Sequence, residues 1–78
     1  MNKKQIVQTD LFKAKSESGK VYEISEQTTQ IKTIFMDNTD TGWMNGSKSY
    51  LVRSGGLANK ISDTEFEIVT AGEIATRL

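Results

Sequence analysis

The chain has 78 residues, 36% of them hydrophobic, with ten basic and ten acidic side chains and no cysteine, histidine or proline. That length is one domain, residues 1–78, at a size where a single core contributes roughly 3–5 kcal/mol. The composition excludes a disulfide framework, a thiolate site, and the commonest metal ligand and general base.

No run approaches the roughly 18 apolar residues of a membrane span. At the N-terminus Ile6-Val7 is followed at once by Gln8, Thr9 and Asp10, where a signal peptide would continue apolar. A cytoplasmic, reducing location is therefore expected. Residues 1–20 carry Lys3, Lys4, Lys13, Lys15 and Lys20 against Asp10 and Glu17, for +3; the remainder carries five basic against eight acidic residues, for −3. A pI near 6.2 argues against a surface given over to gripping nucleic acid. So small a core makes a homodimer that hides a sheet edge one way to gain stability.

Residues 6–25 read as a first hairpin. Phe12 and Ala14 alternate with Lys13 and Lys15, Ser16-Glu17-Ser18-Gly19 supplies the turn with Gly19 at positive φ, and Tyr22 and Ile24 share one face of the returning strand. A helix over residues 4–15 would instead place Val7, Leu11 and Ala14 on one stripe. From Ser25 to Met36 the polar half, Glu26 to Gln30, is expected to bend or lie exposed. The second half is apolar on both faces, Ile31 and Phe35 on one and Ile34 and Met36 on the other, which suggests a strand covered on both sides.

Residues 37–48 read as the longest loop, and it holds the one tryptophan, Trp43, beside Met44. A long loop in a compact domain tends to be functional; the packing expectation is that Trp43 folds back as the lid of a small core. Tyr50 to Ile61 forms the central hairpin, with Tyr50 and Val52 on one face, Leu57 and Ile61 on one face, and Gly55-Gly56 as a two-residue type I′ turn. Ser62 to Glu65 can make a capped helical turn. Thereafter Phe66, Ile68 and Thr70 point one way, an Ala71-Gly72 turn follows, and Ile74, Thr76 and Leu78 face in while Glu73, Ala75 and Arg77 face out. The competing reading is a helix from Asp63 with Ile68, Ala71, Ala75 and Leu78 on one stripe, interrupted by Gly72 at a cost of about 1 kcal/mol.

The expected fold is thus all-β or β-rich: a small SH3-like barrel or rolled antiparallel sheet of about five strands built from hairpins. An α+β chain with a C-terminal helix is the alternative. The last third, from Ser49 to Arg77, resembles the C-terminal ends of small uncharacterised bacterial proteins through Tyr50, Gly55, Gly56, Asn59, Ile61, Phe66, Glu67, Ile68, Gly72, Glu73 and Arg77. That resemblance implies no activity and assigns no site.

Motifs for chemistry fail on inspection. Gly42, Lys48 and Ser49 have P-loop offsets, but Ser47 replaces the second glycine and a strand pattern follows where a helix is needed. Asp37 to Gly42 clusters oxygen ligands, yet Lys48 stands where a calcium loop needs a bidentate Glu. Asn45-Gly46-Ser47 is a formal glycosylation sequon without a secretion signal. Glu65 and Glu67 share a face that should be solvated, and no serine has a histidine to activate it. No catalytic, cofactor-binding or metal residue is assigned, and the chain is not expected to be an enzyme.

Two functions are carried forward. One is a protein-interaction or accessory module, its partner another protein or a second copy, with candidate contacts at Trp43, Met44, Lys48, Tyr50 and Arg53. The other is single-stranded nucleic-acid binding, with Tyr22, Tyr50 or Trp43 stacking bases and Lys13, Lys15, Lys20, Lys48 and Arg53 tracking phosphates.

Overall fold

A computed structural model describes residues 1–78 as all-β, in six strands: β1 (Asn2–Ser16), β2 (Val21–Thr33), β3 (Met44–Val52), β4 (Leu57–Lys60), β5 (Glu65–Ile68) and β6 (Glu73–Arg77). They form a closed antiparallel barrel in sequence order. Six strands replace the expected five, and neither proposed helix exists: residues 4–15 belong to β1, and residues 63–78 carry the β5–β6 hairpin.

The strands are unequal, and that sets the shape. β4, β5 and β6 span only the barrel, and β6 closes it on β1 through Ala14↔Arg77, Lys15↔Thr76 and Ser16↔Ala75. β1, β2 and the start of β3 run on past the barrel mouth as a three-stranded arm, so the molecule measures 56 × 20 × 16 Å. At about 3.4 Å per residue, Asn2 lies roughly 30 Å from Phe12.

Alternation fills the barrel. Phe12, Ala14, Tyr22, Ile24, Tyr50, Val52, Ala58, Phe66, Ile68 and Ala75 make the one apolar cluster. The Phe66 ring sits 4.9 Å from Phe12 and 5.1 Å from Tyr50, both tilted, as aromatic quadrupoles prefer.

Several expectations are corrected. The polar half of β2 neither bends away nor lies exposed; it continues the strand with Thr28 buried and Glu26, Gln27, Thr29 and Gln30 half-buried, and the second half is not covered on both sides, since Ile31, Phe35 and Met36 are exposed. The loop over 37–48 is shorter than read, because β3 already begins at Met44. Trp43 is no lid: it lies far along the arm. The Gly55-Gly56 turn is not a two-residue type I′ connection. Gly55 N–H donates to Val52 C=O at 2.9 Å and Val52 N–H to Gly56 C=O at 3.0 Å, giving a longer loop in which both glycines keep positive φ. A side chain on Gly56 would meet Thr70 Cγ2 at 2.5 Å.

Ser62 does cap its turn, accepting from Glu65 N–H at 3.2 Å, but no helix follows.

The facing of β6 is the reverse of the reading. Ala75 is fully buried, and Ile74 and Leu78 are exposed. The turn from Val69 to Gly72 sets the register Phe66↔Ala75, and beside three aromatic rings the barrel has room for a methyl group. Likewise Ala58, not Leu57 or Ile61, fills the interior from β4. Ala75→Leu should therefore cost about 1–3 kcal/mol of unfolding free energy by overpacking, whereas Ile74→Ala should change it by less than about 0.5 kcal/mol. Paired urea denaturations check this, and the opposite ranking would restore the sequence-based facing.

Candidate functional site

The mouth of the barrel, where the arm leaves, is sealed by polar groups. Glu26 continues the inward face of Tyr22 and Ile24, and its side chain is 14% exposed. Its carboxylate accepts from Thr9 Oγ1 at 2.7 Å and Tyr50 Oη at 3.0 Å, with Lys48 Nζ 3.6 Å away. Thr9's hydrogen is committed to Glu26, so the fully buried Thr28 donates its own to Thr9 Oγ1, 2.7 Å away. Across the mouth Arg77 Nη2 meets Asp10 Oδ2 at 3.0 Å, and its guanidinium lies 4.2 Å from the Phe12 ring centroid. Every buried side-chain polar atom has a partner.

These contacts fix the titration. The hydrogen bond from Thr9, then those from Tyr50 and Lys48, hold the Glu26 carboxyl below its ordinary range, while desolvation and the same carboxylate push the Tyr50 phenol up. At the opposite end of the barrel, Tyr22 Oη donates to Glu73 Oε2 at 2.6 Å; that bond is the main cause lowering Glu73 and raising Tyr22.

Beyond the mouth the arm has two unlike faces. The face continuous with the barrel interior is polar: Gln5 Nε2 donates to Gln30 at 2.8 Å, and Gln30 Nε2 donates to Asn45 at 2.9 Å. Lys32 Nζ stands 4.8 Å over the Trp43 ring, and Lys32 pairs with Lys3 across β1–β2. The opposite face carries exposed Ile6, Ile31 and Met44. At the tip, Phe35 and Met36 project from a turn in which Asp37 Oδ1 accepts from Thr39 N–H and Oγ1, and Asn38 takes φ 67°.

The candidate residues therefore do not converge. Trp43 and Met44 lie on opposite faces near the tip, with Trp43 39% exposed. Lys48 and Tyr50 belong to the mouth, and Arg53 pairs with Glu23 at 3.0 Å at the far end of the barrel. Tyr22 and Tyr50 are buried and cannot stack on bases; among the three rings named for that role only Trp43 is accessible. No group of three or more acidic side chains converges as a metal site, and the grooves on the surface are open to solvent. What the sequence reading missed is Glu26 with Thr9 and Thr28, and the amide row Gln5–Gln30–Asn45. The signal was present in β2, where Glu26, Thr28 and Gln30 keep the parity of Tyr22 and Ile24.

No protein-family model, curated protein or solved structure matches the chain.

Because Glu26 titrates lower folded than unfolded, its contribution is present above its ordinary value of 4.5 and is lost as pH falls through the depressed folded value. Glu26→Gln should remove about 1–2 kcal/mol at neutral pH, and flatten the acid limb of the melting temperature below pH 4.5. Thermal melts from pH 7 to pH 2 read both effects; an unchanged acid limb would show that Glu26 does not govern the mouth.

Proposed function

We propose that the protein is a non-catalytic interaction or accessory module that engages a protein partner with the end of its arm. One observation carries this reading. In a molecule 56 Å long, Phe35, Met36, Trp43 and Met44 lie exposed far from the apolar core, where they add nothing to its burial. Apolar residues held out on an arm fit an anchor entering a pocket on another protein. Grooves open to solvent fit this reading better than they fit a reaction site, which is ordinarily an enclosed pocket. A cytoplasmic setting fits a chain without cysteine.

Single-stranded nucleic-acid binding is favoured by one feature, the Trp43 ring with Lys32 over it and Lys3 facing Lys32 across β1–β2. Neutral net charge weighs against it. The two readings separate cleanly. Trp43→Ala should abolish partner capture in pull-downs from the source cell, while changing unfolding free energy by less than about 1 kcal/mol, the scale of an exposed cation–π contact. A large stability loss would assign Trp43 a structural role. Binding of a mixed-sequence single-stranded oligonucleotide at low salt, falling steeply as salt rises, would replace the protein partner with nucleic acid.

A further inference from the structure

We propose that the free edge of β1, from Asn2 to Gln8, pairs antiparallel with the same edge of a second copy of this chain, about a two-fold axis at Gln5. This surface is distinct from the arm's tip, and the inference stands or falls independently of what the tip binds.

The arm has two open edges. β6 covers β1 only from Ala14 to Ser16, and β4 covers β3 only at Tyr50 and Leu51. They are not equivalent. On β3 the register slips between Thr28 and Gln30, opposite Gly46 and Ser47, and a Cβ on Gly46 would lie 3.2 Å from the Thr29 carbonyl. A bulge with a glycine bends an edge and blunts it as a template. On β1 the register runs unbroken from Asn2↔Thr33 to Gln8↔Gln27, without glycine or proline and with Ile6-Val7 at its centre.

The hydrogen-bond parity of this edge is fixed. Met1 and Ile34 exchange both bonds, N–H to C=O, at 2.8 and 2.7 Å. Alternation along an antiparallel ladder then turns the backbone groups of Lys3, Gln5 and Val7 toward β2, and those of Asn2, Lys4, Ile6 and Gln8 outward. With the two-fold at Gln5, Asn2 faces the second copy's Gln8 and Lys4 faces its Ile6, and the reverse. Every outward N–H and C=O from Asn2 to Gln8 then finds a partner. A shift of the register in either direction leaves at least one of these residues unpaired.

Side chains fit the same arrangement. Lys4 lies across from Ile6 and Lys3 from Val7, so no lysine opposes a lysine. Parallel, in-register pairing would set Lys3 on Lys3 and Lys4 on Lys4, which like charges oppose. On the apolar face, the Lys4 stem, which lies level with Ile31 on β2, packs against Ile6 of the other copy, so the apolar row begun by Ile31 continues across the pairing. On the polar face Gln5 uses Nε2 toward Gln30 and keeps Oε1 and its second N–H for the other Gln5. The amide row of one copy thereby continues into that of the next.

The chain contains no cysteine, so single cysteines placed in the full protein report position without background. Under mild oxidation Gln5→Cys should give a disulfide-linked dimer, because facing residues of a non-hydrogen-bonded pair have Cβ atoms about 4.5–5.5 Å apart, near disulfide range. Lys13→Cys and Ser49→Cys should stay monomeric at the same concentration. Sedimentation equilibrium of the unaltered chain should show twice the 8.7 kDa monomer mass at high concentration. Ile6→Pro, which removes an outward N–H on each copy, should weaken self-association at least about tenfold. Ile6→Lys, at a site 65% exposed and therefore safe for folding, sets like charges against each other and should do the same. A monomer at every concentration, linking at Ser49→Cys in place of Gln5→Cys, or undiminished association of Ile6→Lys would each overturn the proposal.

Discussion

Phe66 is the residue on which closure depends. It comes from the short strand β5, yet its ring lies against Phe12 of β1 and Tyr50 of β3, so one side chain holds the short wall of the barrel to the long one. The ladders on the short side are brief: β3–β4 pairs at two positions and β1–β6 at three. Backbone bonding over so few residues does not by itself offset the entropy of ordering three strands and their turns. Burial of the aromatic cluster supplies the difference, and its bulk dictates that Ala14, Ala58 and Ala75 complete the interior.

The mouth is the second constraint. A barrel whose one wall continues upward exposes the top of its core, and polar strand residues must close it without leaving an unmet donor or acceptor. Glu26 does this by collecting Thr9, Tyr50 and Lys48, while Arg77 covers Phe12 and binds Asp10. Thr9 can reach Glu26 and Thr28 because it is the extra residue of a bulge between Gln8 and Asp10. That same bulge changes the parity of everything beyond it.

Much of the barrel was legible because strict alternation carries it: Phe12 with Ala14, Tyr22 with Ile24, Tyr50 with Val52 and Phe66 with Ile68 all point inward as their spacing implies. Legibility ended where parity was set by something other than spacing. In β6 the turn after Ile68 brings Ala75 inward, although Ile74, Thr76 and Leu78 look like the buried set; in β4 Ala58 displaces Leu57 and Ile61 for the same reason of size. Hydrophobicity alone ranks these residues wrongly, because a narrow barrel lined by aromatic rings selects on volume. The candidate residues on β3 scattered for a related reason. Their apolar, basic and aromatic side chains suit contacts with a partner, but a strand that is arm at one end and barrel wall at the other gives each of them a different environment.

The two bulges explain why the arm is inverted relative to the barrel. Without the extra residue at Thr9, Ile6 would share the inward face of Phe12; without the slip opposite Thr29, Met44 would share that of Tyr50. With both present, Ile6 and Met44 turn to the outer face beside Ile31, and Gln5 and Asn45 turn inward to meet Gln30. The arm thus places its amides, with Val7 and Trp43 beside them, where the barrel has its core, and Ile6, Ile31 and Met44 where the barrel has solvent. Such a sheet gains little from burial within its own chain, and amide bonds between exposed strands contribute only modestly. It is continuous with the sealed mouth below through β1, β2 and β3, and its apolar face and its β1 edge have no partner within the chain.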